Sequence, residues 1–180
     1  MATMSEYESW VADLAVPHRA TEAYWSLFNA GWDALPAVRA GLNHESAAVR
    51  LHCCRYLDHY LSPESLDELI GLLGDPDPGV RCAILHTLAC DRCKEGECRP
   101  SLTKVLPGAL SLLASDSSPQ VRAMAIECVG AYVHVDEAAA HALVTAAKED
   151  PSPAVRKKAG WYLPGGAVHA RTKPKPVRSR

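Results

Sequence analysis

Asp75-Pro76-Asp77-Pro78-Gly79-Val80-Arg81 is a phrase that this chain repeats. It returns as Asp116-Ser117-Ser118-Pro119-Gln120-Val121-Arg122 and as Asp150-Pro151-Ser152-Pro153-Ala154-Val155-Arg156, and a looser copy, His44-Glu45-Ser46-Ala47-Ala48-Val49-Arg50, precedes them. Successive arginines lie 31, 41 and 34 residues apart. Self-similarity at a period of about 30 to 45 residues marks stacked helical hairpins, each too small to bury its apolar face alone. The residue four before each arginine is Ser46, Asp77, Ser118 or Ser152, all side chains suited to cap a helix start. Proline follows in three copies, as Pro78, Pro119 and Pro153, at a first-turn position that needs no N–H. A helix is therefore expected to begin at each copy.

Beyond each arginine, apolar or small residues fall at offsets three, four and seven: Cys53, Cys54 and Leu57; Ile84, Leu85 and Leu88; Ala125, Ile126 and Val129; Ala159, Gly160 and Leu163. With Val49, Val80, Val121 and Val155 they form a stripe of helical period. A partner helix is read upstream of each copy, over 35–42, 64–73, 105–114 and 138–148. The expected fold is all-α, a right-handed α-solenoid of about four hairpins. Its organisation is read as a helical cap over 1–31, a repeat array over 32–164 with a Cys-rich insertion at 90–100, and a basic tail without fixed structure over 165–180. Tyr24, Trp25, Leu27 and Phe28 lie on an N-terminal helix whose rings either cover the open end of the first hairpin or dock a partner.

The phrase resembles the HEAT repeat, more narrowly the bacterial HEAT-like repeats named after the phycocyanobilin lyase subunits, over 35–162. The resemblance implies a ladder between neighbouring units from the turn aspartates Asp75, Asp116 and Asp150 and the arginines Arg81, Arg122 and Arg156. With His44 where the first aspartate would stand, Arg50 is expected to pair differently at that end. It also implies that the second helix of each unit lines a concave inner surface. That surface would carry His52, Arg55, Tyr56 and His59, then Glu127, then Lys158 and Trp161, a mixture of rings, imidazoles and charge suited to protein recognition and equally to plain packing.

The long 41-residue interval holds Cys90-Asp91-Arg92-Cys93-Lys94-Glu95-Gly96-Glu97-Cys98. Three thiols so spaced suit a tetrahedral zinc ion, with His86, one helical turn before Cys90, as the fourth ligand. His59 is a second candidate for that place, since it occupies the offset after Arg50 that Cys90 occupies after Arg81. A zinc held by His86, Cys90, Cys93 and Cys98 would be structural, with no open position for water. The competing reading is three reduced cysteines in a long loop.

Bulk properties set the remaining limits. A chain of 180 residues with 48% hydrophobic residues suits one continuous helical core. Neither a signal sequence nor an apolar run long enough for a bilayer is visible, and seven cysteines form no disulfide framework, so a cytoplasmic monomer away from membranes is expected. The net charge of −2 conceals an imbalance, because Arg171, Lys173, Lys175, Arg178 and Arg180 crowd the last ten residues and leave an acidic body. Such a body matches nucleic acid poorly, except through the basic tail.

Catalysis finds little support. HEAT-like hydroxylases would need several His-Glu pairs where only His44-Glu45 occurs, and the bilin lyases offer no chromophore-handling motif to carry over. The function read from the sequence is a non-catalytic scaffold that recognises a protein partner on its concave face. An enzyme or enzyme accessory related to the bilin lyases is its rival.

Overall fold

The computed structural model describes residues 2–90, 92–96 and 98–173. It divides at Pro100–Ser101 into two compact units, each built only of helices and turns among the described residues. The first unit contains α1 (Met4–Asp13), α2 (Ala20–Ala30), α3 (Leu35–Gly41), α4 (Ala47–Leu57), α5 (Pro63–Gly71) and α6 (Pro78–Ala89). The second contains α7 (Leu102–Ser115), α8 (Pro119–Gly130), α9 (Glu137–Glu149) and α10 (Pro153–Gly160), closed by a short 3-10 turn over His169–Thr172.

Every copy of the phrase starts a helix, and the apolar stripe behind it is the core. Val49, Val80, Val121 and Val155 are fully buried, as are Cys54, Leu57, Ile84, Leu85, Ala125, Ile126, Val129 and Ala159. The helices pair as antiparallel hairpins whose like members stack, α1 on α3, α2 on α4 and α4 on α6 in the first unit, α7 on α9 and α8 on α10 in the second. This is the all-α hairpin stacking of an α-solenoid.

The turns show why each residue of the phrase recurs. The side chain of the first residue accepts the N–H of the third: Asp75 Oδ1 from Asp77, Asp116 Oδ1 from Ser118 and Asp150 Oδ1 from Ser152, each at 2.8 Å. Asp77 then caps α6 and Ser118 caps α8 through their side chains, whereas Ser46 and Ser152 make no such capping bond. The arginine folds back on its own turn. Arg50, Arg81, Arg122 and Arg156 donate through one terminal nitrogen to the carbonyls of His44, Asp75, Asp116 and Asp150, the residues six before them.

The rest of the guanidinium reaches forward. Arg50 grips the Asp75 carboxylate with Nε and NH2 at 2.7 and 2.9 Å, and Arg122 grips Asp150 at 2.8 and 2.9 Å. The arginine thus bonds the aspartate of the following turn. Arg50 does not depart from this pattern as expected. His44 Nδ1 accepts the Ser46 N–H at 3.0 Å, so an imidazole supplies the one acceptor that the first turn requires.

The N-terminal cap is a hairpin of its own, α1 with α2, ahead of the four hairpins that carry the phrase, α3–α4, α5–α6, α7–α8 and α9–α10. Thr3 caps α1 with a reciprocal Glu6 bond, a start signal independent of the repeated phrase. One further expectation is corrected: residues 165–173 of the supposed structureless tail are folded against the second unit. His134 Nε2 lies 2.8 Å from the His169 carbonyl, and the Val168 N–H donates to the Trp161 carbonyl at 2.9 Å. Residues 174–180, with Lys175, Arg178 and Arg180, lie outside the described residues.

Gly130 makes room for this ending. A Cβ there would sit 2.1 Å from the Tyr162 ring, so Gly130→Ala is expected to destabilise by about 1–3 kcal/mol through overpacking. Urea unfolding of the variant, with near-ultraviolet circular dichroism to follow Tyr162, checks this. Arg122→Ala leaves the buried Asp150 carboxylate uncompensated and should cost about 3–5 kcal/mol in the same assay.

Candidate functional site

Rings from two hairpins meet on one face of the first unit. Tyr24, Trp25 and Phe28 project from α2, Trp32 from the turn after it, and His52, Tyr56, His59 and Tyr60 from α4 and its C-terminal turn. Neighbouring rings touch: Tyr24 with His52 at 5.6 Å between centroids, Trp25 with Phe28 at 5.4 Å, Phe28 edge-on to His59 at 4.8 Å, Tyr60 edge-on to Trp32 at 5.5 Å. Such offset and edge-on contacts hold aromatic side chains in fixed orientations. Trp25 is 53% exposed and Trp32 44% exposed, and Arg55, whose charge acts on Tyr24 and His52, is exposed as well.

The expected recognition residues divide on this geometry. Tyr56 is buried among the rings, and its hydroxyl donates to the Gly31 carbonyl, so it supports the face from beneath and touches nothing outside. His52 and His59 are half-buried. Burial and the nearby Arg55 charge push the His52 imidazole below its ordinary range, and its Nδ1 is buried without a hydrogen-bond partner. In the second unit, Lys158 Nζ donates to Glu127 Oε1 at 2.6 Å across α10 and α8, and Trp161 is 41% exposed just beyond.

The insertion packs back against the end of α4. Lys94, a residue type that is rarely buried, reaches inward to place Nζ 2.8 Å from Asp58 Oδ1, both side chains being nearly enclosed. The Glu95 N–H donates to the His59 carbonyl at 2.8 Å, and Gly96 lies so close to Trp32 that a Cβ would fall 2.9 Å from its ring. Insertion and aromatic face are therefore one structure. A buried ion pair and a backbone hydrogen bond tie down a segment whose apolar content is too small to do so.

Around Asp58 gather the metal-type groups. Asp58, His86 and Cys90 offer ligand atoms within 4.8 Å of one another, as do Asp58, His59 and Cys93, and the two thiol sulfurs are 3.3 Å apart. Cys98 belongs to neither group. Burial raises the Asp58 carboxyl, but hydrogen bonds from His86 and Lys94 and the Lys94 charge outweigh it and hold it at about 2. The two thiols are hydrogen-bonded to each other: burial opposes ionisation of Cys90, yet hydrogen bonds from Cys93 bring it down, while Cys93 itself is pushed up. Spacing alone did not reveal Asp58 or Lys94.

Cys53, Cys54 and Cys128 are buried, and burial drives their thiols well above the ordinary range, so none is a ready nucleophile. In the second unit an open cleft of about 560 Å³ between α7 and α9 is lined by His141, Glu149, Arg122 and Asp150, of which the last two are already engaged with each other. Among the described residues no helix is long and apolar enough to cross a membrane.

Lys94→Met removes the buried ammonium that pairs with Asp58 and should release the insertion. The expected readout is loss of hydrogen-exchange protection at the Glu95 amide with helical content unchanged. The Asp58 carboxyl is depressed in the folded state, so its stabilisation is complete above the ordinary carboxylate range near 4 and fades as pH falls towards 2. Protection at Glu95 should follow that course.

Comparison with known proteins gives three findings. A family model described as HEAT repeats matches residues 35–106 and 106–173. The fold is similar to a chain in the complex of CpcE and CpcF of phycocyanin lyase from Nostoc sp. PCC7120, with a TM-score of 0.69 and 21% identity, covering 87% of this chain and 97% of that one. No curated protein matches the sequence.

Proposed function

Because the chain belongs to the HEAT-repeat family, we propose that it is a non-catalytic cytoplasmic scaffold that binds a protein partner through the aromatic face of its first unit. The carrying observation is the interlocked ring cluster with Trp25 and Trp32 about half in water. Partly exposed tryptophans and an exposed arginine are the residue types that supply most binding energy at protein interfaces. Their rings are already ordered by their neighbours, so association loses little side-chain freedom. Arg55 adds a preference for a partner that sets an acidic group next to an apolar knob.

Other observations are consistent with this reading. The buried thiols and the engaged groups of the α7–α9 cleft offer no assembled nucleophile and base. The similar fold from phycocyanin lyase occurs in a complex of two named proteins, CpcE and CpcF, and assembly with another chain is the property brought over here. Glu127, Lys158 and Trp161 form a smaller second patch. A lyase-like role is the alternative reading, resting on that likeness of fold.

Affinity capture from the native cytoplasm, run in parallel with wild type, Trp25→Ala, Trp32→Ala and Arg55→Glu, tests the assignment. Each substitution is expected to remove about 1–2 kcal/mol or more of binding while leaving the helical signal intact. Equal recovery of the same partner by all four proteins would contradict it.

A further inference from the structure

We propose that Asp58, His86, Cys90 and Cys93 bind one zinc ion that fastens the insertion to the end of α4. The residues come from three places in the sequence, and the fold gathers them around Asp58: Asp58, His86 and Cys90 offer ligand atoms within 4.8 Å of one another, Cys93 lies within that distance of Asp58, and its sulfur is 3.3 Å from that of Cys90. Asp58 is in the turn that ends α4, His86 is in the last turn of α6, Cys90 is its C-cap and Cys93 lies in the insertion. Asp58 Oδ2 is 3.4 Å from His86 Nε2, and the two sulfurs are 3.3 Å apart. Donors in a tetrahedral zinc shell, with bonds of about 2.0 to 2.3 Å, lie roughly 3.3 to 3.8 Å from one another. Those two separations fall in that range before any ion enters.

The charges also balance. Zinc binding takes the proton from each thiol, and the two thiolates then neutralise the divalent ion. Asp58 contributes a further negative charge through Oδ2, and Lys94 answers it at Oδ1. That arrangement, in which a ligating carboxylate is held by an outer partner on its second oxygen, is how protein metal sites fix ligand orientation. Two thiolates with an imidazole and a carboxylate suit zinc over the harder calcium or magnesium. His86 is half exposed and gives the ion a way in, whereas Asp58 is enclosed.

This set differs from a loop wrapped on its own cysteines. Cys98 stands outside it; His59 shares a group with Asp58 and Cys93, but its ring is packed T-shaped against Phe28 at 4.8 Å. The ion would brace the side of the aromatic face on which Gly96 meets Trp32.

Reduced full-length protein, stripped with a chelator and titrated with cobalt and then zinc, provides the test. Stoichiometric cobalt should give a thiolate charge-transfer band and intense tetrahedral visible bands that zinc abolishes. Cys90→Ser, Cys93→Ser, His86→Ala and Asp58→Asn should each weaken zinc by at least about tenfold, while Cys98→Ser and His59→Ala should leave it unchanged. Circular dichroism of the two serine variants, each of which exchanges one sulfur for an oxygen, checks that they are folded. Absence of the charge-transfer band in folded wild type, or a Cys98→Ser loss equal to that of Cys93→Ser, would overturn the proposal.

Discussion

An arginine that holds two turns at once is the constraint on which this structure rests. One terminal nitrogen of Arg50 closes its own turn at the His44 carbonyl, while Nε and NH2 seize the carboxylate of Asp75 in the next. Arg122 does the same between the Asp116 carbonyl and Asp150. The aspartate so gripped accepts the backbone N–H that begins the following helix. Burial makes the arrangement specific as well as attractive. A hairpin slipped by one residue leaves a guanidinium and a carboxylate enclosed without partners, which costs several kcal/mol, whereas the well-made pair adds much less in net terms.

From that register the remaining organisation follows. Fixing the turns aligns the second helices, and the valine one residue before each arginine enters the core with the stripe behind it. Residues off the stripe are then free to differ between units. In the first unit they form the ring cluster, with Tyr56 and its bond to the Gly31 carbonyl as the floor and two tryptophans at the surface. The insertion after α6 returns to the edge of that cluster and is held there by Lys94 and Asp58. The polar irregularity and the aromatic face thus adjoin, which gives the proposed metal a structural purpose.

Legibility in the sequence tracked how local each interaction is. The phrase was readable because turn, cap, first-turn proline and clamp lie within seven residues. The N-terminal cap was legible as helical, but its closure as a hairpin of α1 and α2 was not, because it carries no copy of the phrase, although the Thr3–Glu6 capping pair marks its start. Arg50 was expected to behave unlike its fellows, but the turn asks only for an acceptor at its first position and His44 Nδ1 is one. Around the insertion, spacing suggested a local three-thiol wrap including Cys98, while the fold brings in Asp58, 36 residues from its partner Lys94. Comparison of equivalent offsets did place His59 beside this group, since stacking aligns them. Burial of Tyr56 was not readable, because helical phase gives a direction and not the height of what is stacked there.

A double-mutant cycle on Arg50 and Asp75, followed by urea unfolding of the full-length protein, tests the central claim most directly. If the arginine of one turn is energetically joined to the aspartate of the next, Arg50→Ala and Asp75→Ala will be strongly non-additive, with a coupling of about 1–3 kcal/mol. Losses that sum to within about 0.5 kcal/mol would contradict the account, for the two residues would then stabilise their own turns independently.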